Sequence, residues 1–153
     1  MKNKKIETII ISILIPLAVG AVSSFLGRTM MEPDFIQPTF SPPGYLFPIV
    51  WTILYILMGI SSYLIYISDS PWRTPSLIIY AIQLVFNFFW SILFFRFSLY
   101  GLSFAWLLML IGFIIIMIYL FSKVRPLAAY LQIPYLLWCL FAAYLNYAVY
   151  MLN

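Results

Sequence analysis

The chain has 153 residues, 65% hydrophobic and only 8% charged, with a mean hydropathy of +1.06. A soluble domain carries roughly 25% charged residues, so this composition belongs to a membrane protein that needs no water-soluble core. The net charge of +4 is divided among the ends of apolar runs, which excludes a basic nucleic-acid face, and the lack of histidine excludes zinc clusters, imidazole acid–base catalysis and His-ligated haem.

In chain order, Lys2, Lys4 and Lys5 precede an apolar run over about residues 6–26. Its basic head and small residues are also those of a signal peptide, but the run is too long for a signal core and suits a retained spanning helix. Pro16 removes a hydrogen bond to Ser12 and predicts a kink. Gly20, Ser24 and Gly27 form a small-residue stripe that lets another helix approach. Residues 27–42 make the longest connection, carrying Arg28, Glu32 and Asp34, and read either as a lid over a pocket or as a plain polar connector.

The second span is expected over residues 43–67, with Ser41 as cap and Pro42 in the first helical position. Trp51, Tyr55, Met58, Gly59 and Ser62 fall on one of its faces at spacings of three and four. That face packs on another helix or on a ligand. Thr74 and Pro75 mark the start of a third span, 75–95. A tight turn at Arg96–Ser98 leads to a fourth, 99–121, and the loop Lys123–Pro126 to a fifth, 127–152. The expectation is an all-α integral membrane bundle of five transmembrane helices, one domain over residues 1–153.

With five spans, one side of the membrane holds Lys2, Lys4, Lys5, Arg73, Lys123 and Arg125, and the other holds Arg28 and Arg96. Six against two predicts the N-terminus inside, in a bacterial cytoplasmic membrane. Apart from Glu7 at an edge, no expected span carries an ionisable Asp, Glu, Lys, Arg or His. That argues against ion or proton transport, which needs such groups or a carbonyl filter at membrane depth.

The uncharged polar residues are few. Gln83, Asn87 and Ser91 recur every four residues on the third span, and Asn146 lies in the fifth. An amide in hydrocarbon needs a partner, so these residues join helices or fix a polar group of a ligand. Trp72 and Tyr100 suit the membrane interface, whereas Trp51 and Trp138 lie inside spans. Trp138 has Pro134 one turn before it and Ala142 one turn after, which leaves volume on that face. Both indoles read either as packing or as the wall of a cavity for a flat apolar ligand. Cys139, the single cysteine, sits in an apolar run without a basic neighbour and reads as a packing thiol.

Three stretches, QPTFSPPGYLFPIVWTILYILMGISSYLIY, QLVFNFFWSILFF and RPLAAYLQIPYLLWCLFAAYLNYAVY, resemble the translocator protein/tryptophan-rich sensory protein (TspO/MBR) family in order and spacing. The chain looks like a bacterial member. The resemblance implies five tilted helices around a pocket opening toward the first loop, and commonly a homodimer. It implies binding of tetrapyrroles, notably protoporphyrin IX, and of synthetic isoquinoline and benzodiazepine-type ligands. It assigns Trp51 and Trp138 as indoles needed for a light-dependent oxidative breakdown of protoporphyrin. It places Asn87, Trp90 and Ala142 in the same pocket, with Phe47 and Tyr55 beside them. Animal members carry a tyrosine followed by a basic residue near the C-terminus for cholesterol. Here Tyr144, Tyr147 and Tyr150 are followed by no Lys or Arg.

The reading is therefore a tetrapyrrole-binding membrane protein in a lipid bilayer, with no metal site, no nucleic-acid partner and no required cofactor. Protoporphyrin IX is its ligand or substrate, and Arg28 is a candidate partner for a propionate. Whether it is an enzyme stays open, since no acid–base pair or activated nucleophile is visible. The alternative is a non-enzymatic receptor, sensor or carrier of tetrapyrroles or other lipophilic ligands.

Overall fold

The computed structural model describes residues 2–27 and 35–153. It is all-helical in these residues: α1 (Lys2–Gly27), α2 (Leu46–Tyr66), α3 (Arg73–Ser91), α4 (Tyr100–Val124), α5 (Pro126–Tyr130) and α6 (Ile133–Leu152). A π-helical turn, Ile92–Arg96, extends α3, and α5 runs into α6, giving five helical segments long and apolar enough to cross a membrane. They match the five expected spans, because only a helix satisfies its own backbone in hydrocarbon.

The ends differ in instructive ways. α1 starts among the lysines and runs through Pro16. α2 starts at Leu46, after Tyr45, without a side-chain cap, so the expected cap at Ser41 is not used. The reason is local: a residue before proline avoids the helical region, and two successive prolines hold Ser41 and Pro42 out of it. The chain turns instead, with Ser41 N donating to Pro38 O and Leu46 N to Pro43 O. α3 begins at Arg73, which leaves Pro75 in the first turn, where a missing N–H breaks no helical bond. The turn after the third span is reached through the π-helical turn, and Ser98 takes a left-handed φ of 54°.

α1 packs along α2, α3 along α4, and α4 along α6, while α2 meets the final segment chiefly through α5. The α1–α2 contact depends on two glycines. A Cβ on Gly59 would collide with the backbone of Ser12 and Ile13, and one on Gly20 with the ring of Tyr55. At the far end, Ser23 Oγ donates to Phe88 O (2.7 Å), tying α1 to α3, and Gly27 lies against the Ser91 backbone. The small-residue stripe on α1 thus does bring helices close, through Gly20 and Gly27. The apolar core between the helices includes Met58, Ile65, Leu107, Ile114, Met117, Phe121 and Cys139, all essentially inaccessible. Trp72 stands exposed at the start of α3, as an interfacial residue should. Tyr100 instead packs its ring on Phe94 (5.1 Å).

Gly59→Ala should lower the thermal midpoint of the detergent-solubilised protein by the equivalent of ~1–3 kcal/mol, the range for overpacking a close contact. Gly112 has nothing within 4 Å of a built Cβ, so Gly112→Ala should be neutral or slightly stabilising. A circular-dichroism melt of the two variants compares them.

Candidate ligand-binding site

The face of α2 singled out by its spacing points inward. Tyr55, Met58, Gly59 and Ser62 are buried, and Trp51 is half-buried at its upper end. α1 lies against it at Gly59 and Tyr55, and α3 and α6 stand across from its Trp51 end. Because the α2 and α6 backbones stay apart over most of their length, long side chains close the gap. Trp51 stacks on Tyr55 (5.5 Å), lies tilted to Trp90 (6.4 Å) and meets Tyr135 edge-on (6.2 Å). One turn away, Phe47 meets Trp138 edge-on (5.7 Å), and Trp138 touches Phe141 (5.6 Å). The α2–α6 boundary is therefore a seam of rings.

A polar chain runs beneath the rings. Tyr55 Oη donates to Asn87 Oδ1 (2.7 Å), Asn87 Nδ2 donates to Tyr135 Oη (2.9 Å), and Tyr135 Oη donates to Gln83 Oε1 (2.7 Å). This links α2, α3 and α6 at membrane depth. A second knot holds Trp90: its Nε1 donates to Asn146 Oδ1 (3.0 Å), which also accepts from Ser103 Oγ (3.2 Å), while Asn146 Nδ2 donates to Tyr100 O (2.9 Å). Asn87 and Asn146 are thus engaged through both ends of their amides. Two donors in this region have no hydrogen-bond partner among the described residues: the buried Nε1 of Trp138 and Nε2 of Gln83.

All seven residues expected at the site lie in described helices. Trp51, Tyr55, Asn87 and Trp90 join through ring contacts or hydrogen bonds between α2, α3 and α6, and Phe47 and Trp138 form a separate ring pair one turn along α2 and α6. Ala142 is buried on the α6 face, one turn beyond Trp138. Trp51 meets Tyr135 of α6, and Trp138 meets Phe47 of α2, so each indole contacts a ring of the opposite helix. Sequence reasoning gave no role to Tyr135, the hub of the polar chain. Its signal was the pair Gln83 and Asn87, which needed a hydroxyl opposite, and Tyr135 precedes Trp138 by three residues on the same face.

The described part of the first connector crosses this end of the bundle. Phe35 packs edge-on against Phe94 (5.2 Å) and Tyr100 (5.5 Å), Pro38 is buried, and Phe40 stacks on Tyr144 (4.8 Å). Ile36 N donates to Asn153 Oδ1 (3.1 Å), and Asn153 Nδ2 donates back to Ile36 O (3.1 Å). Arg28, Glu32 and Asp34 lie outside the described residues, and with them the expectation of an arginine over the pocket. Among the described residues, no group of three His, Cys, Asp or Glu side chains could hold a metal ion.

The TspO/MBR family model matches residues 12–152. The chain belongs to the TspO/MBR family. It is 35% identical to the tryptophan-rich protein TspO of Chlorobaculum tepidum, over 99% of each chain. It is 36% identical to the protein of the same name in Archaeoglobus fulgidus, over 95% of this chain and 96% of that one. It is 33% identical to the translocator protein of Homo sapiens, over 74% of this chain and 69% of that one. Together with its five spanning helices, this makes it an integral membrane protein of the TspO/MBR family.

In this TspO/MBR chain, Tyr135→Phe leaves Gln83 Oε1 and Asn87 Nδ2 without partners, at ~1–3 kcal/mol for each stranded group. Tyr55→Phe strands only Asn87 Oδ1. The thermal midpoint should therefore fall more for Tyr135→Phe than for Tyr55→Phe. Asn153→Ala should leave the midpoint nearly unchanged but accelerate amide exchange at Ile36, as read by hydrogen–deuterium exchange.

Proposed function

We propose that the chain binds protoporphyrin IX and similar tetrapyrroles between α2, α3 and α6, in contact with Phe47, Trp51, Tyr55, Asn87, Trp90, Trp138 and Ala142. The observation that carries this reading is the buried, unengaged indole N–H of Trp138, set in a seam that only rings close. A flat macrocycle that parts Phe47 from Trp138 and Trp51 from Tyr135 replaces ring–ring contacts with ring–porphyrin contacts of the same kind. Its carboxylate edge would then accept from the Trp138 donor. Family membership supports the same reading. Isoquinoline and benzodiazepine-type molecules, being flat and apolar with a carbonyl, fit the same chemistry.

On this reading Trp51 and Trp138 also promote a light-driven oxidation of bound protoporphyrin, as transient electron donors or radical sites that are restored in the cycle, while the porphyrin loses electrons to dioxygen as the net oxidant. The protein needs no further cofactor. The excess of Lys and Arg at the N-terminal end supports an orientation with the N-terminus in the cytoplasm and the first connector outside. A homodimer is part of the same proposal, on the strength of the family alone.

The test joins binding and turnover. Titration of protoporphyrin IX should quench tryptophan fluorescence saturably. Trp51→Phe combined with Trp138→Phe should weaken binding by about tenfold or more, given ~0.5–1.5 kcal/mol for each aromatic pair lost. Under illumination the wild type should lose pigment absorption faster than free porphyrin does, and the double variant should not. Equal loss in both would remove the oxidation from the proposal. Saturable binding without extra pigment loss would favour the second reading, a receptor, sensor or carrier. One observation favours that reading: both amides nearest the rings, Asn87 and Asn146, already have their partners within the protein.

A further inference from the structure

Below the ring seam, the last spanning segment carries an amide with no partner. Ala128, Gln132, Tyr135, Cys139, Ala142 and Asn146 recur at spacings of three and four, and all are buried, so Gln132 lies on the same inward face as Tyr135. Its place is set locally. Gln132 N donates to Ala129 O (3.1 Å) at the end of α5, and Leu136 N donates to Gln132 O (3.1 Å) in the first turn of α6. The backbone is thus engaged on both sides. The side chain is fully inaccessible, yet neither its Nε2 nor its Oε1 has a hydrogen-bond partner among the described residues. A buried polar group left bare costs more than a made hydrogen bond returns.

α3 brings two more such groups to the same level. As the third and fifth of five alternating spans, α3 and the α5–α6 segment run in the same direction, and the bond from Tyr135 Oη to Gln83 Oε1 (2.7 Å) fixes their register. One turn back from that bond lie Tyr80 on α3 and Gln132 at the start of α6, three residues before Gln83 and Tyr135 respectively. Tyr80 and Tyr135 interact electrostatically across the gap. Tyr80 Oη and Gln83 Nε2 are buried and have no hydrogen-bond partner among the described residues. Ser62 stands beside Tyr80, but its hydroxyl donates to Gly59 O (2.9 Å), and no hydrogen bond joins the two oxygens. Four stranded polar atoms, on two helices that face each other, therefore occupy adjoining turns.

We propose that Gln132, Gln83 and Tyr80 enclose an internal water site. The mixed set of groups decides the occupant. Nε2 of Gln132 and Nε2 of Gln83 require acceptors, Oε1 of Gln132 requires a donor, and Tyr80 Oη serves as either. A cation would face amide N–H groups, an anion would leave Oε1 bare, and a hydrocarbon chain would satisfy none of them. A small neutral molecule that both donates and accepts meets all four, and atoms shut off from the surface admit nothing larger than water. At about three hydrogen bonds for each buried water, one or two molecules suffice. The site lies outside the ring seam and does not rest on the tetrapyrrole reading. It extends the polar chain of Tyr55, Asn87, Tyr135 and Gln83 by one turn toward the N-terminal ends of α3 and α6.

A high-resolution crystal structure of the wild-type protein grown in a lipidic mesophase tests it directly. An ordered water should lie within about 2.7–3.2 Å of the Gln132 amide and of Gln83 Nε2 or Tyr80 Oη. Gln132 turned onto a protein partner, with no water between the three side chains, overturns the proposal. Thermal melts of the detergent-solubilised protein give a second reading. Gln132→Met keeps the volume of the side chain and removes its amide. An amide without any partner is a burden, so its removal would raise the midpoint. An amide that holds water leaves Gln83 and Tyr80 stranded when it goes, and the midpoint should fall by about 2–4 °C or more for each group. Tyr80→Phe should lower it as well. Because both variants disturb the same water, the loss in Tyr80→Phe combined with Gln132→Met should fall short of the sum of the two. A higher midpoint in Gln132→Met, or losses that add in full, overturns the proposal. Should Gln132→Met fail to fold, the crystal structure, which needs no variant, decides the matter.

Discussion

The hydroxyl of Tyr135 holds the bundle's centre together. It accepts from Asn87 on α3 and donates to Gln83 one turn away, while Asn87 accepts from Tyr55 on α2. In hydrocarbon, apolar side chains give neighbouring helices little reason to prefer one another, and small residues and buried polar contacts do the selecting. α1 and α2 use the first device, closing backbone to backbone at Gly59. α2, α3 and α6 use the second. Their contact runs through long side chains that reach across a gap, so the same residues that fasten the helices also keep them apart.

That division separates a seam that can open from one that cannot. A helix pair in backbone contact cannot admit a guest without moving whole helices. A pair joined by rings can admit one by rotating side chains. Phe47 against Trp138 and Trp51 against Tyr135 are contacts of the rotating kind. Trp90 differs, because its N–H is fixed to Asn146, which is itself tied to Ser103 and the Tyr100 carbonyl. The region therefore has a fixed back wall on α3 and a yielding front along α2 and α6. Above it the connector is pinned at Ile36 by Asn153 and at Phe40 by Tyr144, so access from that end depends on contacts made by the last turns of α6.

Much of this was legible in the residues. Five apolar runs give five helices because a bilayer leaves the backbone no other choice. The inward face of α2 followed from spacing alone, and the line Gln83–Asn87 announced a buried network. What spacing could not give was the partner. Whether an amide meets a neighbouring helix or a ligand depends on which hydroxyl tertiary packing brings opposite it, and Tyr135 reads in one dimension like any other aromatic of a membrane span. The start of α2 was misjudged for a simpler reason. Ser41 and Pro42 have the identities of a helix start, but the next residue, Pro43, restricts Pro42 and delays the helix to Leu46.

The character of the seam between α2, α3 and α6 follows from where its polar groups find partners. Tyr55, Asn87 and Tyr135 satisfy one another there, and among the described residues the leftover donors are Gln83 Nε2 and an indole N–H lodged among rings. An indole donor within a seam of rings suits a flat aromatic guest with an acceptor at its edge. In a medium without water, each such stranded atom marks where a partner of definite chemistry would be stabilised.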